Sequence, residues 1–154
     1  MIRVIFSVDK EKVPKEVRRL THYAGQRRQG DEGTFERMSA TDSDKAMLEQ
    51  FCKAACAAAT EQLMHYAISI DNDDVGAAAY EVALDLPSQY DTNLNESIED
   101  SLKNFFINLI ASKWFEWTDA EGKASATAAA EALGFMQDIE KKIYHRKRPC
   151  RFTN

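Results

Sequence analysis

The residues best suited to binding chemistry lie at the C-terminal end of the chain, where cations surround a proline. Residues 141–154 carry six basic and no acidic side chains. Lysine and arginine bind phosphate oxygens, or they bind carboxylates in an acidic groove of another protein, and aromatic side chains can anchor such a contact. The candidate binding residues are Tyr144, Arg146, Lys147, Arg148, Arg151 and Phe152.

Two lysines at the start of this segment, Lys141 and Lys142, have a simpler interpretation. They fall at the end of a helical pattern, where cations interact favourably with the helix dipole. This interpretation does not extend to the cations around Pro149, which cannot continue a helix. A solvated, disordered tail remains the alternative for those residues.

The cysteines are a second group that could do chemistry. Cys52 and Cys56 are four residues apart, so they share one face of a helix. A metal site would need further ligands, and the three histidines of the chain complete no zinc-binding spacing. We therefore expect these thiols to be small buried side chains, and no metal site. The odd number of cysteines, three, favours a reducing compartment over a disulfide framework.

Catalytic signatures are missing from the sequence. It contains no G-x-S-x-G, no H-E-x-x-H, no phosphate-binding loop and no cysteine–histidine signature. Carboxylates are plentiful, but most, such as Glu99 and Asp100, fall on helix faces that we expect to be solvated. The sequence thus predicts no enzyme and no cofactor.

Composition indicates the scaffold that must position these residues. The 154 residues include 21 alanines but only 6 glycines and 3 prolines, which favours one domain built from long helices. A dinucleotide-binding fold or a β-sandwich would need more turn residues. The net charge is +3 over residues 1–41, −14 over 42–140 and +6 over 141–154. We expect a helical body at 1–140, with a minor β element, and a basic C-terminal tail at 141–154.

Hydrophobic periodicity predicts a mainly α fold, a four-helix-type bundle with one or two short β-strands. Apolar residues alternate with polar ones at Met1–Val8 and at Tyr80–Leu86, as in half-buried strands. The second strand is expected to pair with the first, or with a strand of a neighbouring subunit. No apolar stretch approaches the roughly 20 residues of a membrane span, so we expect no membrane association.

The helices follow from spacings of three and four. They are expected from Pro14 to about residue 28, over residues 42–70 if that pattern is continuous, and on either side of a short turn at residues 118–122. The short turn predicts that the last two helices are antiparallel neighbours. Residues 93–96 and 118–121 resemble capping boxes.

Several segments together resemble small helical proteins of tailed phages, the head–tail connector (neck adaptor or head-completion) class. The likeness extends over about residues 41–151. The segments that carry it are Thr-Asp-Ser-Asp at 41–44, Phe-Cys-Lys-Ala-Ala-Cys at 51–56, Tyr-Glu-Val-Ala-Leu-Asp-Leu-Pro at 80–87, Asn-Phe-Phe-Ile-Asn at 104–108, Lys-Trp-Phe at 113–115 and Ile-Tyr-His-Arg-Lys-Arg-Pro at 143–149.

The resemblance implies a structural role in the virion neck, with assembly in the host cytoplasm. Such adaptors form rings, commonly of twelve subunits, beneath the portal; a terminal segment reaches into the portal, and the ring extends the DNA channel toward the tail. The implied partners are the portal protein, other neck or tail proteins, further copies of the chain and the DNA that passes through. The basic tail would dock on the portal.

Two other functions remain open at this point. The chain could be a nucleic-acid-binding regulatory protein that uses the basic tail. The acidic middle of the chain argues against this function. A tail-completion protein is a close neighbour of the connector, and nothing in the sequence separates the two.

Overall fold

The computed structural model describes residues 2–27, 44–64, 67–71, 79–118 and 122–145. These residues confirm a mainly helical fold with short strands. The elements, in chain order, are β1 (Ile2–Asp9), α1 (Lys12–Arg27), α2 (Lys45–Leu63), β2 (Ala67–Asp71), β3 (Ala79–Leu86), a 3-10 turn (Thr92–Leu94), α3 (Asn95–Thr118) and α4 (Lys123–Tyr144).

The strands form an antiparallel sheet in the order β1-β3-β2. Val4 lies opposite Leu84, and Phe6 lies opposite Val82; all four side chains are buried, whereas the intervening Ile5 is exposed. This alternation is the two-residue period of a sheet with one face on the core. The pairing of the two predicted strands is confirmed. The other possibility, pairing of Tyr80–Leu86 with a neighbouring subunit, is wrong, because β1 and β2 occupy both edges of β3.

The prediction of one continuous helix over residues 42–70 is also wrong. The helix ends at Leu63, and Ala67–Asp71 is a strand that pairs with β3 through an irregular register between Ala67 and Ser69. A run as short as residues 67–71 fits a helical and a strand period about equally well. Hydrogen bonding to β3, which is distant in sequence, decides between them.

Helix α3 is the centre of the fold. It contacts α1, α2, α4 and β1, and its residues 105–108 are all buried, so that no face of this turn reaches solvent. The Phe106 ring lies 5.3 Å from the Tyr80 ring of β3 in a tilted contact, and the Tyr80 hydroxyl is 3.2 Å from Oγ1 of Thr60 on α2. These contacts tie the sheet, α2 and α3 into one core.

Helices α3 and α4 are antiparallel, as predicted. The Ser101 hydroxyl donates to Asp138, and the Ser112 hydroxyl donates to the carbonyl oxygen of Ser125, so residue numbers rise along one helix as they fall along the other. Gly122 precedes α4 with φ of 75°, a left-handed conformation that suits glycine. The predicted capping box at 118–121 lies largely outside the described residues, and the cap position itself is Gly122.

The capping box predicted at 93–96 is replaced by a different start of α3. Asp91, not Asn93, caps the 3-10 turn, with its side chain accepting from the backbone N–H of Asn93. Tyr90, which is 1% exposed, donates its hydroxyl to Oδ1 of Asn95 at 2.7 Å. Burial raises the pKa of Tyr90 to about 12, and the neighbouring charge of Asp91 adds to the rise.

Candidate docking surface

Tyr144 is the one predicted binding residue that falls within the described part of the chain. It lies in the last turn of α4 and is 58% exposed, next to Ile143, which is fully buried in the core. The core contact of Ile143 fixes this turn, so Tyr144 projects from a well-packed helix end. The other predicted binding residues lie outside the described residues: Arg146, Lys147, Arg148, Arg151 and Phe152.

A charged network holds the C-terminal end of α4 against α3. The Lys142 ammonium forms an ion pair with Asp138 one turn earlier, and it donates to the hydroxyl of Ser101 at 3.1 Å and to the carbonyl oxygen of Ser97 at 3.4 Å. The hydrogen bond from Lys142 lowers the pKa of Asp138, and the bond from Ser101 acts in the same direction. Lys142 therefore belongs to the scaffold of this surface.

Tyr144 lines an open depression of about 480 Å³ at the end of α4. Gln137, Glu140, Lys141 and His145 line it together with the tyrosine. Small-molecule sites are enclosed, whereas this surface is open to solvent and carries both signs of charge. Its chemistry suits contact with another macromolecule, with Tyr144 as an amphipathic anchor.

A polar recess of about 600 Å³ lies between the end of β1 and the first turns of α3. Its wall includes Asp9, Glu99 and two lysines. Glu99 accepts the backbone N–H of Ser7 at 3.1 Å, and Asp9 accepts the backbone N–H of Glu11 at 2.9 Å. These carboxylates are thus engaged in local structure, and Glu99 is more than the solvated side chain that we expected.

Both cysteines of α2 are buried free thiols, at 7% and 5% exposure. The hydrogen bond between them lowers the pKa of Cys52 and raises that of Cys56, and burial adds to the rise at Cys56. Neighbours four apart on a helix have Cβ atoms about 5–6 Å apart, beyond the roughly 3.5–4.5 Å of a disulfide. The helix therefore disfavours a disulfide between the two thiols, and the predicted core role of these residues fits their burial.

The described residues contain no cluster of three or more histidine, cysteine or acidic residues placed to hold a metal ion. In the same part of the chain, no helix combines the length and the apolar character that crossing a membrane requires.

Sequence reasoning missed the polar seam between α3 and α4. Ser101 and Ser112 are buried, and Ser112 and Ser125 each donate a hydroxyl to the other's carbonyl oxygen. The signal is present in the sequence, because positions 11 residues apart lie three turns apart on one helix face. Two serines at that spacing within a strongly apolar helix indicate a face that meets polar partners.

Comparison with known proteins identifies no relative of this chain. No family model, no curated protein and no solved structure matches the chain.

Proposed function

We propose that the chain is a structural protein of a tailed-phage virion, a ring-forming head–tail connector that docks on the portal and extends the DNA channel toward the tail. The proposal starts from the resemblance of residues 41–151 to that class. It is supported by a helical body that presents an exposed Tyr144 and an open, charged surface at the end of α4.

One observation carries the docking step. The last turn of α4 is fixed to α3 by Ile143 and by the Lys142 network, and it presents an exposed Tyr144 at the point where the basic segment begins. Arg146, Lys147, Arg148 and Arg151 follow in the sequence. A rigid anchor followed by arginines suits a carboxylate-lined groove, since arginine binds carboxylates through two parallel hydrogen bonds.

The charge of the middle of the chain suits the channel. Residues 42–140 carry a net charge of −14, and a channel wall of this sign repels phosphates, so DNA would pass without adhering. The basic tail would then be directed toward the portal and away from the lumen. A ring with a net basic channel surface would contradict this part of the proposal.

Deletion of the gene tests the function. Phages that lack this protein should form DNA-filled heads without attached tails, visible by electron microscopy, and normal virions would refute the proposal. Complementation with a chain that ends at His145 should fail to restore tail attachment, because this chain keeps all of α4 but lacks the basic segment.

A matched pair of charge reversals separates docking from general electrostatics. Arg146→Glu/Arg148→Glu should abolish binding to the purified portal of the same phage. Lys45→Glu/Lys53→Glu changes the net charge equally at exposed positions of α2 and should bind normally. The nucleic-acid alternative predicts instead that the intact chain binds DNA with an affinity that falls steeply with salt, and that portal binding is absent.

A further inference from the structure

Helix α4 is held mainly by a single neighbour. Among the elements that the structure describes, α3 is the one with which α4 makes extensive contact. Helix α3, in contrast, also packs against α1, α2 and β1. Separation of α4 would therefore break contacts chiefly with one element and leave the packing of the others in place.

The face of α3 toward α4 carries a stripe of polar side chains. Its members follow one another at steps of four, three, four and four, which places them on one side of the helix. We call them the polar stripe: Ser97, Ser101, Asn104, Asn108 and Ser112. Ser101 donates to Asp138, and Ser112 donates to the carbonyl oxygen of Ser125, so this side of α3 meets α4.

The hydrogen bonds across this contact align the two helices but add little to their adhesion. When the helices separate, water replaces each protein partner, so the net contribution of such a bond is small. The side chains of Lys142 and Asp138 are 21% and 44% exposed, and solvent screens their charges. Apolar burial must therefore supply most of the adhesion.

Apolar burial is unevenly divided between α4 and the rest of the core. The buried side chains of α4 are Ala128, Ala132, Met136, Ile139 and Ile143. The buried aromatic side chains of the described residues lie on other segments: Phe6, Tyr80, Tyr90, Phe105, Phe106, Trp114 and Phe115. Aromatic rings bury far more area than alanines, and the contact between Phe106 and Tyr80 joins α3 to the sheet without α4. The larger part of the core would thus remain when α4 leaves.

Asn108 makes the closed contact less favourable. It is 7% exposed, and its Nδ2 donates to the carbonyl oxygen of Asn104 at 2.9 Å. Its Oδ1, however, has no donor in the part of the chain that the structure describes. A buried acceptor without a partner has lost its water and gained no bond in return. Separation of α4 hydrates this amide and so favours the open form.

We infer that α4 separates from α3 as a unit, in an equilibrium that precedes global unfolding, while the core around α3 stays folded. Cooperative units of unequal stability open separately in this way. The last turn of α4 carries Tyr144, so the docking surface would leave the body together with the helix. The inference concerns the isolated chain and does not depend on the connector proposal.

Native-state hydrogen exchange of the full-length chain, followed by NMR at low urea concentrations, tests the separation. A helix draws most of its stability from tertiary packing, so the amides of a detached α4 exchange. Amides of residues 128–139 should share one opening constant, and their protection factors should be at least about tenfold lower than those of residues 102–110 in α3. Protection in α4 equal to or above that of α3 would refute the inference, because α4 would then open only in global unfolding.

Two variants on opposite sides of α3 locate the surface that opens. Asn108→Leu removes the unpartnered acceptor, which is hydrated both in the opened form and on global unfolding. Protection of α4 and of α3 should therefore rise by the same factor, about tenfold. An Asn108→Leu chain in which α4 exchanges as in the wild type would contradict the inference.

The matched control is Ile110→Val. Ile110 is fully buried, and two residues of helix place it about 200° around α3 from Asn108. Because its contacts survive in the opened form, this variant should lower protection in α3 about fivefold and leave protection in α4 unchanged. An equal loss in both helices would show that α4 opens only with the rest of the fold.

Discussion

Helices α3 and α4 have nearly the same length, 24 and 22 residues, and lie side by side, but the protein uses them differently. Successive residues 105–108 of α3 are all buried, whereas buried residues of α4 recur only on the face toward α3. One helix is the interior of the fold, and the other is its surface.

The difference shows in the buried side chains of the two helices. Helix α3 buries large aromatic residues, including Phe105, Phe106 and Trp114, while α4 presents Ala128 and Ala132. Small side chains let α4 lie close to α3, and the serine hydroxyls between them satisfy each other's polar groups. Stability is therefore concentrated around α3, and α4 remains available for contacts outside the chain.

The largest effect is expected from truncating the centre of α3. Phe106 is 1% exposed and contacts the Tyr80 ring. Phe106→Ala leaves a cavity and should lower the free energy of unfolding by about 3–5 kcal/mol, measured by urea denaturation. A loss below about 1 kcal/mol would show that α3 is not the interior helix of the fold.

The next largest effect on stability is expected at alkaline pH, from Tyr90 near the start of α3. The pKa of Tyr90 is raised to about 12 in the folded chain, against about 10 when unfolded. The neutral phenol stabilises the fold below pH 10, and this contribution is lost as pH rises from about 10 to 12. Between pH 9 and pH 11, wild-type stability should fall by about 1–2 kcal/mol more than that of Tyr90→Phe. Equal losses in the two proteins would contradict a buried phenol at this position.

Much of this architecture could be predicted from local patterns. The buried face of α4 follows from apolar residues at steps of three and four, and the strands β1 and β3 follow from large apolar residues at every second position. Each pattern is long enough to identify its period. The candidate binding residues are equally evident in the sequence from the basic cluster at the C-terminal end, although among them the structure describes only Tyr144.

Features that depend on distant partners could not be predicted in this way. Residues 67–71 form a strand because β3 offers an edge to them, and no local signal marks that edge. Trp117 belongs to the apolar pattern of α3 yet is 70% exposed, because it lies in the last turn of the helix, next to Thr118 where α3 ends. Burial there depends on where neighbouring elements stop, which the period of one helix does not specify.

The ion pair within α4, between Lys142 and Asp138, should contribute less than either core residue. Asp138 has a side chain that is 44% exposed, so solvent screens its charge. Asp138→Asn should lower stability at pH 7 by about 0.5 kcal/mol. The pKa of this carboxyl is lowered in the fold, so its contribution is present above the unfolded pKa near 4 and is lost as pH falls through the folded value. The difference between wild type and variant, followed by thermal unfolding, should shrink on acidification; a constant difference would show that charge is not involved.

The smallest effect is expected at Leu133, and it tests the difference between α3 and α4 most directly. Leu133 is as apolar as any core residue of α3, but its outward position means that Leu133→Ala removes few intramolecular contacts. The free energy of unfolding, measured by urea denaturation, should therefore change by less than about 0.5 kcal/mol. A loss of about 2 kcal/mol or more, the range of buried leucines, would instead place Leu133 inside the fold and remove the distinction between the two helices.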